Sequence, residues 1–344
     1  MGQYVGLDVS LEVTTVHVLD EQGKRVWRGT CVTHPTAIEA TIRKHAPEVV
    51  RIGLETGPLT TWLWQALTDA GLPMVCLDAR QARAALNMKI NKTDDNDAEG
   101  LAHLVRSGWY REVRVKSREA MLARSLLGAR TQLLGIVTDL SNQIRGLMKT
   151  FGLVVPKGAG KVFEANVRRL LEDEAAVAAI VLPLLDAWRA VRAQAADLDR
   201  QLLSMVRENA ACRRLMTIPG VGAVVALSFV AAIETPEAFP RSRDVGAWIG
   251  LTPRRYQSGE VDYEGHISRR GDARLRSLLY EAAMTILTRV RGESELRSWA
   301  LALRKRLGFK RAVVALARKL AVIMHTMLKT GTDFNPTPSA AARP

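Results

Sequence analysis

The apolar positions of this chain change period along its length. Tyr4-Val5-Gly6-Leu7-Asp8-Val9-Ser10 is an apolar run that predicts a buried opening strand with a carboxylate near its far end. Thr14 to Leu19 is β-branched and alternating, Asp20-Glu21-Gln22-Gly23 has the composition of a turn, and a third strand is expected around Lys24 to Thr30. A helical stretch from Pro35 to His45 leads into Val49-Val50-Arg51-Ile52-Gly53-Leu54-Glu55, a second short apolar run that ends in an acid. Two predicted strands thus each deliver a carboxylate.

In Lys92-Thr93-Asp94-Asp95-Asn96-Asp97-Ala98, Thr93 or Asp94 can start a helix that continues through Leu101, Leu104 and Val105. Residues three apart share a helix face, so Asp94 and Asp97 point the same way while Asp95 is turned off it, toward a helix-start or solvent role. Beyond Val115 the pattern is helical. Glu119 to Phe151 carries leucines, valine and isoleucine at helical spacing, with Arg124, Arg130, Arg145 and Lys149 on the outer face. A break at Val155 to Lys161 precedes further helix from Val162 to Glu208. There Leu185, Val191, Leu198, Leu202 and Val206 form an irregular heptad that suits either a partner helix in a dimer or an intramolecular hairpin.

Ile218-Pro219-Gly220-Val221-Gly222, followed by a small apolar helix, has the form of the turn in helix-hairpin-helix modules. Backbone N–H groups of Gly220 and Gly222 at a helix start can there grip a phosphate, although a glycine turn between packed helices needs no ligand. Next comes Ala247 to Gly259, a segment read as a polar loop that exposes the Ser258 hydroxyl. Gly265-His266-Ile267-Ser268-Arg269-Arg270-Gly271-Asp272 and a helix over Ala273 to Thr288 follow. Arg254, Arg255, Arg269, Arg270 and Arg274 could hold a phosphate against Ser258. A serine hydroxyl is a poor nucleophile until something activates it, and on residue type alone Tyr256 and His266 are equal candidates.

Singly, each acid has a structural reading: a turn former at Asp8, a loop residue at Glu55, a helix cap at Asp94. Their joint order, two strand acids followed by helix acids, points instead to carboxylates converging on a hard divalent cation that keeps waters and faces a phosphate.

Charge strengthens that direction. The 344 residues hold 49 lysines and arginines against 35 aspartates and glutamates, a net charge of +14. The first 110 residues carry 11 basic and 13 acidic side chains, so the surplus lies wholly in the remainder, with 38 basic and 22 acidic. An acidic site attached to a basic body is the footprint of phosphate contact. Dispersed basic residues without a lipidation pattern argue against a membrane surface. Cys31, Cys76 and Cys212 lack metal or disulfide spacing and read as buried thiols. Without a signal peptide or an apolar span, the expected place is the cytoplasm, associated with the nucleoid.

Seven stretches in order resemble one family: Gly6-Leu7-Asp8-Val9-Ser10, Leu54-Glu55-Thr56-Gly57, Lys92-Thr93-Asp94 with Asp97-Ala98, Ile218 to Gly222, Gly250-Leu251-Thr252-Pro253, Gln257-Ser258-Gly259, and Gly265 to Gly271. The family is that of insertion-sequence transposases related to the Piv DNA invertase, which includes the bridge-RNA-guided recombinases. The resemblance implies an α/β plus α fold. Residues 1–115 would form a RuvC-like, ribonuclease-H-like mixed-sheet domain, 116–210 a helical coiled-coil region, 211–330 a mainly helical transposase domain, and 331–344 a disordered tail. It also implies a catalytic tetrad of Asp8, Glu55, Asp94 and Asp97 binding magnesium or manganese, with Ser258 as nucleophile in a composite site. Donor and target DNA, a structured bridge RNA and a homo-oligomer, dimer or tetramer, are the partners implied. Rival readings are a RuvC-like nuclease or resolvase without a covalent intermediate, a protein-guided invertase and a non-enzymatic nucleic-acid binder. A sugar-kinase or actin-like ATPase is disfavoured, because Val9-Ser10-Leu11-Glu12 lacks a phosphate-loop glycine.

Overall fold

The computed structural model describes residues 2–86, 93–292 and 294–337. Lys92 and residues 338–344 of the expected tail lie outside them. The chain divides into two compact units, Met1–Arg118 and Glu119–Pro344.

In the first unit the elements run β1 (Gln3–Val9), β2 (Val13–Leu19), β3 (Arg25–Val32), α1 (Pro35–His45), β4 (Val49–Glu55), α2 (Thr60–Asp69), β5 (Met74–Leu77), α3 (Ala79–Leu86) and α4 (Asp94–Ser107). The strands form one sheet of order β3-β2-β1-β4-β5. Strands β1 to β3 are antiparallel, whereas β1, β4 and β5 are parallel. The mixture follows from the connections: short turns join the first three strands, and helices α1 and α2 carry the chain between the parallel ones.

Alternation assigns the two faces of the sheet. Val5, Leu7, Val16, Val18, Ile52 and Leu54 pack with Ile38 and Ile42 of α1 and Leu63 and Leu67 of α2. Each such fully buried aliphatic side chain contributes roughly 1.5–3 kcal/mol. On the opposite face Leu101, Leu104 and Val105 of α4 meet Val75 and Leu77. Helix α4 has clear ends. The Thr93 hydroxyl accepts from the Asn96 N–H at 3.2 Å, three acids lie in the first turn, and Gly108 closes the helix at φ 72°.

The second unit opens with two long helices, α5 (Arg118–Thr150) and α7 (Ala175–Glu208), with the short α6 (Lys161–Leu170) between them. Ser141 meets Trp188 and Arg130 meets Asp199, so α5 and α7 run antiparallel. Of the heptad positions, Leu185 packs into the α5–α6–α7 core, and Leu202 and Val206 join the larger core below it. These three therefore serve an intramolecular hairpin.

Below follow α8 (Ala210–Leu215), α9 (Ala223–Ile233), α10 (Asp244–Trp248), β6 (Pro253–Ser258), β7 (Val261–Ile267), α11 (Ala273–Thr288), α12 (Glu295–Leu307) and α13 (Phe309–Thr330). Val313, Leu316, Leu320 and Met324 of α13 are fully buried in the core that α13 forms with α10, α11 and α12. The chain just past Gly331, expected to be disordered, is held: the Phe334 N–H donates to Thr217 Oγ1 at 2.9 Å and the Pro336 carbonyl accepts from the Glu295 N–H at 3.2 Å. Phe334 also packs on the core, which explains why a polar, proline-containing stretch is ordered there.

Candidate active site

Asp8 lies one residue from the end of β1, and Glu55 ends β4. Parallel pairing sets Gly6 opposite Gly53 and Leu7 opposite Leu54, so Asp8 and Glu55 follow level with each other on neighbouring strands. Alternation puts both acids on the face that carries Gly6 and Gly53. Helix α4 covers that face at backbone distance. A Cβ at Gly6 would sit 2.0 Å from the Ala98 carbonyl oxygen, and one at Gly53 would sit 2.6 Å from Val105 Cγ1. The glycines two positions before each acid thus seat the helix whose first turn holds Asp94 and Asp97. Gly6 and Gly53 as the seats of α4 are the feature that sequence reasoning missed, although the repeated spacing Gly-x-acid was there to find.

The structure brings Asp8 and Glu55 to one level of the sheet and puts the helix bearing Asp94 and Asp97 on the same face. Asp8, Glu55 and Asp97 are half-buried and Asp94 is exposed. Among the described residues no three His, Cys, Asp or Glu side chains are grouped closely enough to hold a metal ion.

Asp95 stands in the first turn of α4, as its helix-start reading expects, but is not left to solvent. Its Oδ2 accepts from Arg28 Nη1 at 2.6 Å, and its Oδ1 lies 3.7 Å from Nδ1 of His17, a residue buried in β2. Glu99 Oε1 stands 3.9 Å from the other ring nitrogen. Asp95 and Glu99, four apart on α4, therefore face β2 and β3 and fix the helix across the sheet. No pattern local to Asp95 could have shown this, because its partners come from strands far back in the chain.

In the second unit the segment around Ser258 is a β-hairpin and not a loop. Ser258 closes β6, pairs with Val261, and is followed by Gly259 at φ 57° in a two-residue turn of the II′ kind. Sequence alternation was weak there because almost every hairpin residue is polar or exposed. The base of the hairpin is pinned: the Ser268 N–H donates to the Thr252 carbonyl at 2.8 Å and the Arg269 N–H to the Gly250 carbonyl at 3.1 Å. Gly250 and Gly271 are both left-handed, and a Cβ on either would meet backbone oxygen at 2.1 Å. The Ser258 hydroxyl thus stands exposed at the tip of a rigidly based projection.

Many of the candidate phosphate-binding arginines hold protein groups. Arg255 makes a two-pronged pair with Asp262 across the hairpin, which raises the pKa of the guanidinium and lowers that of the carboxyl. Arg124 pairs with Asp272 and Arg130 with Asp199. Arg145 donates to the Gly158 carbonyl and lies over the Phe163 ring. Arg274 donates to the Leu127 carbonyl and the Thr131 hydroxyl, and burial pushes its pKa down. Arg254 donates to the Ser268 carbonyl at 3.2 Å. Arg269 and Arg270 stand exposed beside the hairpin base, and Arg269 is left-handed at φ 53°.

In the turn between α8 and α9, Gly220 and Gly222 differ in role. Gly220 is left-handed at φ 92°, and a Cβ there would lie 2.7 Å from Ile286 Cγ1, so its absence serves packing on α11. Gly222 is exposed at the N-cap of α9, without a side-chain cap and with open space around it. The first N–H groups of α9 are therefore able to meet an anion. Cys76 and Cys212 are buried, and burial pushes their thiols up to about 11 and about 12; Cys31 is only half-buried. No helix among the described residues is long and apolar enough to cross a membrane.

Comparison with known proteins agrees across both units. Residues 5–152 match the transposase family DEDD_Tnp_IS110, and residues 212–298 match the Transposase IS116/IS110/IS902 family. The transposase for insertion sequence element IS1111A of Coxiella burnetii is 31% identical over 340 residues, covering 94% of this chain and 89% of that protein. A probable family 20 transposase of Pseudomonas aeruginosa is 31% identical over 72% of this chain and 75% of its own length. The putative transposase y4pF/y4sB of Sinorhizobium fredii is 34% identical over 72% of this chain and 65% of its own. Asp8, Glu55, Asp94 and Asp97 lie within the first matched region and Ser258 within the second, and the chain belongs to the IS110/IS116 family of insertion-sequence transposases, enzymes of DNA transposition and recombination.

Proposed function

We propose that this transposase cleaves and rejoins DNA with Ser258 as the nucleophile, supported by a divalent cation at Asp8, Glu55, Asp94 and Asp97. The observation that carries the reading is the level placement of Asp8 and Glu55 under the helix that bears the other two acids. The first unit's sheet order and its three antiparallel strands followed by two parallel ones support a RuvC-like, ribonuclease-H-like fold.

The donor set is all carboxylate oxygen, which fits magnesium or manganese and not a soft metal. When bound, such an ion would polarise a phosphate and favour ionisation of a hydroxyl. Ser258 Oγ attacks phosphorus, one P–O bond of the DNA breaks, and the serine proton is balanced by protonation of the leaving oxygen. The resulting serine phosphoester retains the bond energy, so a second strand's hydroxyl can displace the serine and reseal the backbone. Arg269 and Arg270, exposed beside the hairpin base, would bind the DNA backbone. The basic surplus of the chain also suits a structured bridge RNA that pairs with donor and target, and a homo-oligomer, dimer or tetramer, that holds both is part of the same proposal.

The test is denaturing electrophoresis of full-length protein with a labelled DNA substrate and magnesium. A covalent protein–DNA band is expected from the wild type and lost in Ser258→Ala. Cleavage that persists in Ser258→Ala without an adduct would establish the hydrolytic resolvase reading instead. Nuclease treatment of the purified protein, followed by RNA sequencing, reads the guide: no bound structured RNA would leave a protein-guided invertase.

A further inference from the structure

We infer that Tyr256 and Tyr263 form a stacking platform for an unpaired nucleobase of the DNA strand that lies against the hairpin. The two residues face each other across β6 and β7, with ring centroids 5.5 Å apart and planes within 29°. Both are exposed, at 54% and 59%. A cross-strand aromatic pair of this kind adds only a modest increment of stability to a hairpin, and more than half of each tyrosine is left open to solvent. Here the hairpin is also held by its glycine-packed base and by the Arg255–Asp262 pair, so the tyrosines are not its sole support.

Register places what surrounds them. Tyr256, Ser258, Val261 and Tyr263 share one face, while Arg255, Gln257, Asp262 and Glu264 share the other. The strand carboxylates are therefore kept off the tyrosine face, and the nearer one is neutralised by Arg255. That asymmetry suits an anionic partner with a flat apolar surface. The rings lie too close together for a base to enter between them, so a base would stack on the open side of the pair. Tyr256 and Ser258 are two strand residues apart, roughly 7 Å, so the stacked base would belong to a nucleotide near the phosphate that meets the serine. Stacking on aromatic faces binds any base and requires it to leave its duplex partner.

The inference rests on the DNA-transposase assignment and takes only its location from Ser258. It is tested by fluorescence with full-length Ser258→Ala protein, so that the nucleophile's identity does not enter the result. The probe is a single strand of about 15 nucleotides carrying one 2-aminopurine, with the same sequence as duplex for comparison. Tyr256→Leu/Tyr263→Leu, which keeps apolar bulk but removes the ring faces, should weaken single-strand binding roughly 10- to 100-fold and abolish base quenching. Tyr256→Phe/Tyr263→Phe should keep both, and duplex affinity should change little. Unchanged single-strand binding in the leucine variant overturns the inference; if its particle mass by light scattering also falls, the face is a contact with a second copy. Equal loss in the phenylalanine variant overturns it too, because the hydroxyls and not the ring faces would then be the binding groups.

Discussion

Gly6 on β1 and Ala98 on α4 are in backbone contact: a Cβ at Gly6 would stand 2.0 Å from the Ala98 carbonyl oxygen and 2.5 Å from the Ala102 amide nitrogen. Neither of those atoms is the end of a flexible side chain. The acid-bearing turn of α4 is therefore positioned over the sheet by a contact that only glycine allows.

Gly6→Ala should lift α4 and cost at least about 2 kcal/mol, with loss of DNA cleavage. Gly146→Ala is the matched control, since Gly146 lies within α5 with nothing near its Cβ position and alanine is the better helix former. It should be neutral or stabilise by roughly 0.5–1 kcal/mol. Thermal melts of the two variants decide the matter; a Gly6→Ala protein that melts like the wild type would contradict the seating.

Asp95→Asn should lower cleavage only modestly, because Asp95 serves Arg28 and His17. Its pair with Arg28 is half-exposed, so the loss of stability should be under about 1 kcal/mol. Asp97→Asn should abolish cleavage at unchanged thermal midpoint. Rate constants for the two asparagine variants side by side test the assignment, and equal abolition would move Asp95 into the site.

Arg269→Ala and Arg270→Ala should weaken binding of any DNA sequence and reduce the slope of log affinity against log salt by about one each, without shifting the melting temperature. Arg274→Ala should do the reverse. Its guanidinium holds the Leu127 carbonyl and the Thr131 hydroxyl, so removal leaves α11 less well joined to α5 and destabilises by about 1–3 kcal/mol. Salt titrations and melts on all three variants separate the two roles.

His325 makes stability depend on pH. Its Nε2 is 3.0 Å from the Pro236 carbonyl, which can only accept, so Nε2 carries the proton and Nδ1 accepts from the Ser242 hydroxyl at 2.9 Å. Burial holds its pKa below the ordinary 6.5. As pH falls the unfolded chain takes up the proton first. The contribution is therefore whole above about pH 6.5 and is lost as pH drops through the lower folded value. Between pH 7.5 and 5.5 the wild type should lose more thermal stability than His325→Gln; parallel curves would remove the histidine from this role.

Much of the local structure was legible in the sequence. The helix over Pro35–His45, the strand over Val49–Glu55 and the helix over Ala273–Thr288 follow from period, proline and cap residues that act within a few positions. So does the Thr93 start of α4, and with it the presence of three acids in one helical turn. The hairpin around Ser258 was not legible, since a strand with no buried face carries no apolar alternation to read.

By itself the sequence determined which segments are helix or strand, which acids stand at strand ends, where the positive charge lies, and the family resemblance that orders these features. Only the tertiary structure decided the strand order that sets Asp8 level with Glu55, the face that α4 covers, and the partner of each charge. Arg28 and Asp95 are 67 positions apart and Arg124 and Asp272 are 148 apart. Propensity and capping act along a few residues of backbone, whereas register, close glycine packing and ion pairing depend on segments that meet only once the chain has folded.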